Sequence, residues 1–197
     1  MSRFTPTGVA LGHMNVEDVS IENFKWIVDV NLWGVIHGTM AFLPLLRERP
    51  EARLVNVSSA WGLLAVPGAA PYCATKFAVR GFTDSLRLEL MDTNVCVTLV
   101  CPSQVKTNIV HNGRHKNESA RASLIRAFDK TMTNISADEA ARLILAGVAR
   151  KQRRVLIGRD ARIFDLASRF LPDFILRFVT RRELRKLERE LAAAELH

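Results

Sequence analysis

The sequence is poor in the residues that staple a small protein together or hold a metal. Its three cysteines, Cys73, Cys96 and Cys101, are odd in number, have no CxxC spacing and no accompanying histidine cluster, which argues against a disulfide framework and a metal site. Apolar stretches are broken by a charge or a proline within about a dozen residues, short of the roughly 18 to 20 that span a bilayer. The opening residues MSRFTPTGVALGH hold no signal-peptide core. No repeat, low-complexity tract or nucleic-acid-binding motif is visible. Together these absences predict an ordinary globular domain in a reducing, cytoplasmic compartment. Tyrosine is scarce as well: Tyr72 is the single one, so any chemistry that needs a phenol rests on it.

With 48% hydrophobic and 24% charged residues, the chain has enough apolar surface for a core. The net charge of +8 is uneven: from Arg150 to the end, 13 Lys/Arg stand against 7 Asp/Glu, which accounts for six of the eight. The excess therefore belongs to the tail. With acids interspersed and no nucleic-acid motif beside it, it reads as a solvated helix face.

Helical periods alternate with short β-branched runs, the pattern of an α/β domain with a mostly parallel sheet. Three strands are predicted, Leu54 to Val57, Val95 to Val100 and Val155 to Ile157, each apolar throughout, as suits strands covered on both faces. Helices are expected from Ile21 to Arg49 with a break near Val30, from Pro71 to Met91, and from Ala137 to Ala149, the last opened by a Ser136/Glu139 capping box. The polar stretch from Lys106 to Thr133 reads as a loop with a short helix inside it, lying over an active site. Residues 1–158 then form the main domain. Residues 159–197 form a basic amphipathic helical extension, with Ile163, Leu166 and Phe170, then Phe174, Ile175 and Phe178 beyond Pro172, then a helix capped at Thr180 with a Leu184, Leu187, Leu191 stripe. It is expected to pack on the domain or a partner, with peripheral membrane contact as the other use of such helices.

The chemistry sits in VNVSSAWGLLAVPGAAPYCATKFAVRGF, residues 55–82. Tyr72 and Lys76 are four apart in a helical segment and share a face. Ser59 lies just past a buried strand, at the sheet edge where such folds place ligands. A free phenol titrates near pH 10. An ammonium about 4 Å away, worth at most about 4 kcal/mol at an effective dielectric of 20, would bring it toward neutrality. The Ser59 hydroxyl can donate to an oxygen that gains charge in the transition state.

With these residues in view, the sequence resembles the short-chain dehydrogenase/reductase family over nearly its whole length. Ser58-Ser59 and Tyr72 to Lys76 correspond to the family's SS…YxxxK unit. VNLWG puts Asn31 at its fourth catalytic position, and CPSQVKT resembles its PGxVxT segment. The resemblance implies a Rossmann-like doubly wound parallel sheet and an NAD(P)-dependent interconversion of an alcohol and a ketone or aldehyde. In it, Ser59 orients the carbonyl, Tyr72 exchanges the proton, Lys76 also holds the nicotinamide ribose, and Asn31 holds a water for proton relay. Cofactor contacts would come from Tyr72, Lys76, Pro102, Val105 and Thr107, with NADP slightly favoured over NAD. It further implies a small apolar substrate and a homo-oligomer joined through the helices around Ile36 to Leu46 and Tyr72 to Leu90.

Two departures stand out. The family's TGxxxGxG loop, which cradles the pyrophosphate, has no counterpart, and of its NNAG segment only Gly8 remains. At 30 or more residues per βαβ unit, an N-terminal part on the order of 60 to 90 residues is absent, leaving Leu54 to Val57 near an exposed edge. A chain of this kind could instead serve as an inactive dimerising or regulatory partner of an intact homologue. Ser103 replaces the glycine after Pro102 and would crowd the nicotinamide. His37, His111 and His115 have no acidic or nucleophilic partner at suggestive spacing and read as structural. Trp61, Leu63, Leu64 and Val66 suit a substrate pocket or the core equally.

Overall fold

A computed structural model describes residues 2–4, 8–11, 14–103, 105–131, 135–171 and 181. The sheet has four parallel strands in the order β1 (Ser2–Phe4), β2 (Ala52–Val57), β3 (Val95–Pro102) and β4 (Arg154–Ile157). The first strand was not predicted. It pairs Phe4 with Val55, so the edge of β2 that the sequence reading left exposed is covered, by a segment too short to announce itself through periodicity.

The helices are α1 (Ile21–Val28), α2 (Gly34–Arg47), α3 (Ala70–Glu89), α4 (Glu118–Thr131), α5 (Ala137–Ala149) and α6 (Arg159–Phe170). Side chains alternate across the pleat. Leu54, Val97, Leu99 and Cys101 face α2 and α3, whereas Val55, Val57, Val100, Val155 and Ile157 face α5. The apolar runs are thus those of a doubly wound sheet buried on both sides. Ser136 caps α5 by accepting from the Glu139 N–H at 3.1 Å, and the helix expected inside the 106–133 loop is α4.

The expected break near Val30 is a π-helical turn, Asp29–Trp33, which joins α1 to α2 without ending the helix. The continuous helix from Ile21 to Arg47 has 27 residues and is long and apolar enough to cross a bilayer. Asp29 and Pro44 break its apolar run, as the sequence reading expected, but the helix continues through both. Here the helix lies against the domain, with every fourth residue buried: Ile27, Asn31, Val35 and Thr39.

α6 packs through Ala161, Phe164 and Ala167 and leaves Ile163, Leu166 and Phe170 exposed. Residues 172–180 and 182–197, with the remaining expected helices and the Leu184, Leu187, Leu191 stripe, lie outside the described residues. An ion-pair network ties α6 to β4 and α3: Arg154 pairs with Asp165 and, at 3.3 Å, with Asp84, while Arg169 holds Asp165 at 3.0 Å. Arg154 is 9% exposed and Asp165 12%, so removing Asp165 leaves a nearly buried guanidinium with Asp84 alone. Asp165→Ala is expected to lower unfolding stability by about 2 kcal/mol, read as a shift of the urea midpoint. An unchanged midpoint would show that the pair contributes nothing.

Candidate active site

β2 delivers the first group. The chain leaves the strand with the Ser58 N–H still bonded to the Val100 carbonyl at 2.8 Å. Ser59 then turns out to cap the short 3-10 turn Ala60–Gly62, its Oγ accepting from the Trp61 N–H at 3.2 Å. α3 opens with Pro71 in its first turn, where a missing N–H costs nothing, and it sets Tyr72 and Lys76 on the face turned to the sheet. Tyr72 is 9% exposed and Lys76 only 1%.

α3 is fastened here by polar contacts. Ser58 Oγ donates to the Lys76 carbonyl at 2.8 Å and Lys76 Nζ donates to the Val57 carbonyl at 3.3 Å. Two helical turns further on, Asn56 Nδ2 donates to Thr83 Oγ1 at 3.1 Å. The approach leaves no room at Gly62, where a Cβ would stand 2.3 Å from Ser58 Oγ and 2.7 Å from the Lys76 carbonyl oxygen.

The Tyr72 phenol lies within the influence of the Ser59 hydroxyl, which pulls its pKa down. Its ring meets Trp61 edge-on, 5.8 Å between centroids, and has the Lys76 ammonium 5.6 Å from its centre. Asn31 sits on the π-turn with 1% of its surface exposed. Its amide clamps the Val9 backbone, accepting from the N–H at 2.7 Å and donating to the C=O at 2.8 Å, and it donates to Thr75 Oγ1 at 3.2 Å. Both amide hydrogens are thereby committed. A relay water on Asn31 would have to use the second lone pair of Oδ1 or the main-chain carbonyl. Gly8 completes the join: its φ is +96°, and a Cβ there would lie 2.0 Å from Asn31 Oδ1 and 3.5 Å from Lys76 Nζ. The retained glycine therefore has a packing reason. Thr75, Gly62 and the Val9 backbone are members of this arrangement that the sequence reading missed; only the position of Thr75, three residues after Tyr72, hinted at any of them.

The electrostatics differ from the expectation. Tyr72 is pushed up to about 12, chiefly by burial, with the Ser59 hydroxyl pulling the other way. Lys76 is pulled down to about 8, again by burial. The anticipated lowering of the phenol by the ammonium is not what this geometry gives. Nζ donates to the Val57 carbonyl and lies over the ring face, and loss of water outweighs its field.

Over the site lies the segment after β3, as the loop reading foresaw. Ile109 packs on the cluster of Leu11, Met14 and Tyr72. Leu11 and Arg114 form a parallel bridge, the Arg114 guanidinium stacks 4.3 Å from the Trp26 ring centre, and Lys116 pairs with Asp18 at 2.9 Å. Pro102 ends β3, Val105 bridges to Ile135, and Thr107 is exposed beyond them. These three are near the strand ends but outside the Ser59, Tyr72 and Lys76 group. Ser103 is bonded through its N–H to the Ile157 carbonyl at 2.9 Å. A Cβ at Gly158 would come within 3.2 Å of the Ser103 carbonyl oxygen, so the two strand ends close tightly. Leu63 and Leu64 belong to the core, and Trp61 is half-buried against Tyr72. His37 stacks on Trp33, and His115 Nε2 bonds the Val110 carbonyl of its own loop.

A parallel sheet covered on both faces, with a hydroxyl, a phenol and an ammonium gathered past its carboxyl edge, is the architecture of the Rossmann-like α/β proteins. A family model described as short chain dehydrogenase matches residues 6–118. SadH of Mycobacterium tuberculosis, an oxidoreductase by name, is 38% identical over 167 residues, covering 84% of this chain and 60% of that protein. The mitochondrial D-beta-hydroxybutyrate dehydrogenase of Rattus norvegicus is 48% identical over 87 residues, 44% of this chain and 25% of the enzyme. A crystal structure of a short chain dehydrogenase/reductase from Burkholderia phymatum in complex with NAD superposes with TM-score 0.70 at 27% identity, covering 79% of this chain and 60% of that one. The chain belongs to the short-chain dehydrogenase family. It spans 60% of the length of SadH.

Burial of Lys76 makes a pH prediction. Below pH 8 the lysine is protonated in both states, and the folded state bears the cost of a buried charge. Between about 8 and the ordinary lysine value of 10.5 the unfolded chain binds the extra proton, so stability rises with pH, by on the order of 3 kcal/mol over the whole window. Tyr72, raised from 10.0 to about 12, takes stability away only above pH 10. Denaturant unfolding from pH 7.5 to 9, below the range where the buried Cys73 and Cys101 thiols, both pushed up by burial, take stability away, should therefore show a rise in the wild type that Lys76→Met abolishes; equal slopes would overturn the shift.

Proposed function

We propose that this chain acts as an NAD(P)-dependent oxidoreductase interconverting a small apolar alcohol with its ketone or aldehyde. The observation that carries the reading is the buried grouping of Ser59, Tyr72 and Lys76 at the carboxyl edge of a family fold. The donor set suits the nicotinamide end of a dinucleotide: Lys76 and Tyr72 for the ribose hydroxyls, and the Pro102, Val105 and Thr107 segment for the carboxamide. The bound nicotinamide supplies or takes the hydride; NADP or NAD fits equally, and the Burkholderia phymatum relative is described with NAD.

A phenol held near 12 is fully protonated at neutral pH, so Tyr72 is set to give its proton to a carbonyl oxygen. Ser59 accepts from the Trp61 N–H, and its hydroxyl, which acts on the phenol oxygen, can turn its hydrogen to the same substrate oxygen. Asn31 fixes Val9 and Gly8 beside Lys76, and Trp61 with Ile109 and Met14 keeps the phenol in apolar surroundings, matching an apolar substrate. Oxidation needs the phenolate, so alcohol oxidation should climb with pH while ketone reduction stays level through neutrality.

The test is turnover of a panel of apolar ketones and alcohols with each nucleotide. Tyr72→Phe should cut kcat by about 10² to 10⁴ and leave nucleotide affinity intact; a Tyr72→Phe variant with wild-type kcat ends this assignment. The other reading, a non-catalytic, dimerising or regulatory partner of an intact homologue, gains if the protein binds neither nucleotide yet co-purifies with one.

The oxidoreductase reading includes self-association, in a cytoplasm that suits three free cysteines. Met40 on α2 is 67% exposed and Trp33, seven residues earlier on the π-helical turn, 47%; Leu88 is 66% exposed and Phe77 39% on α3, eleven apart. These spacings give each helix an apolar outer face. Met40→Glu with Leu88→Glu should turn a dimer or tetramer into monomer by light scattering, and a wild type that is already monomeric excludes the interface.

A further inference from the structure

We infer that the outer face of α6 docks on an anionic lipid surface. The inference stands apart from the catalytic reading. Arg159, Arg162, Ile163, Leu166, Arg169 and Phe170 fall at helical spacing on one side of α6, and all six are exposed; Ile163 is 54%, Leu166 59% and Phe170 76% exposed, and Leu171 continues the patch at 39%. The opposite side is the one that packs, through Ala161, Asp165 and Ala167. Of the helix's acids, Asp165 is buried in its pair with Arg154 and also holds Arg169 at 3.0 Å, and Asp160 is half-buried on the flank, which leaves Arg159 and Arg162 as the cations of the patch.

Three features favour a membrane over another occupant. A second copy joined about a two-fold axis would set these arginines against their own counterparts. The patch is the ridge of a helix and not a groove, and a fluid interface accepts a ridge without shape complementarity, apolar side chains in the acyl boundary and arginines among the headgroups. Arg159 and Arg162 also stand in the first turn of α6, the end at which the helix dipole disfavours cations. Helix stability does not explain them; attraction to negative headgroups does, reinforced by the six net positive charges carried from Arg150 onward.

The test is vesicle flotation of the full chain, with phosphatidylcholine alone and with phosphatidylcholine plus phosphatidylglycerol. The protein should float with the anionic vesicles, with at least tenfold less bound in high salt. Arg159→Gln with Arg162→Gln should weaken binding by about 10-fold or more, and Ile163→Ser, Leu166→Ser and Phe170→Ser together should abolish it. All six positions are exposed, so the variants should keep the wild-type circular dichroism. Three results would overturn the inference: no binding to anionic vesicles, equal binding to both compositions, or a serine variant that binds as before. A serine variant that changes oligomeric state while the wild type ignores vesicles would assign the face to contact between copies.

Discussion

Burying the Lys76 ammonium between α3 and the end of β2 is the constraint around which the rest is arranged. Removing such a charge from water costs several kcal/mol even after relaxation. The surroundings offset part of that with the Val57 carbonyl and the face of the Tyr72 ring. To reach them α3 must come close enough to β2 that only glycine fits at position 62. The same approach brings Ser59 and Tyr72 together. Packing and chemistry are thus one feature, since the contacts that seat the helix also dehydrate the groups that would react.

Dehydration also fixes the resting protonation. Both Tyr72 and Lys76 are shifted toward their neutral forms, the direction loss of water dictates for an acid and a base alike. A neutral phenol is a proton donor, so this resting state favours protonating a carbonyl over accepting a proton from an alcohol. The segment from Val105 to Lys116 contributes by lying over the ring, held through Arg114 on Trp26 and Lys116 on Asp18.

The outer surfaces divide the remaining apolar area between two places. The α2 and α3 faces carry Trp33, Met40, Phe77 and Leu88, and the α6 face carries Ile163, Leu166 and Phe170 among arginines. Single exposed apolar residues need no explanation, but rows at helical spacing do. The two rows differ in their charged company, which is the physical ground for assigning them different occupants.

Much of this was legible in the sequence. Apolar runs marked β2, β3 and β4 as strands buried on both faces, and the four-residue spacing of Tyr72 and Lys76 on a helix after Ser59 marked side chains that the fold brings together, because both are periodic, local signals. Other features needed the tertiary structure. β1 is three residues long and owes its existence to pairing with β2, so no local pattern could mark it. The roles of Gly8, Gly62 and Thr75 come from atoms far away in the chain. The sign of the Tyr72 shift turned on where the Lys76 ammonium points and how much water the phenol loses. Sequence spacing specifies which side chains share a face; it carries no information about solvent, and solvent decided the protonation of this site.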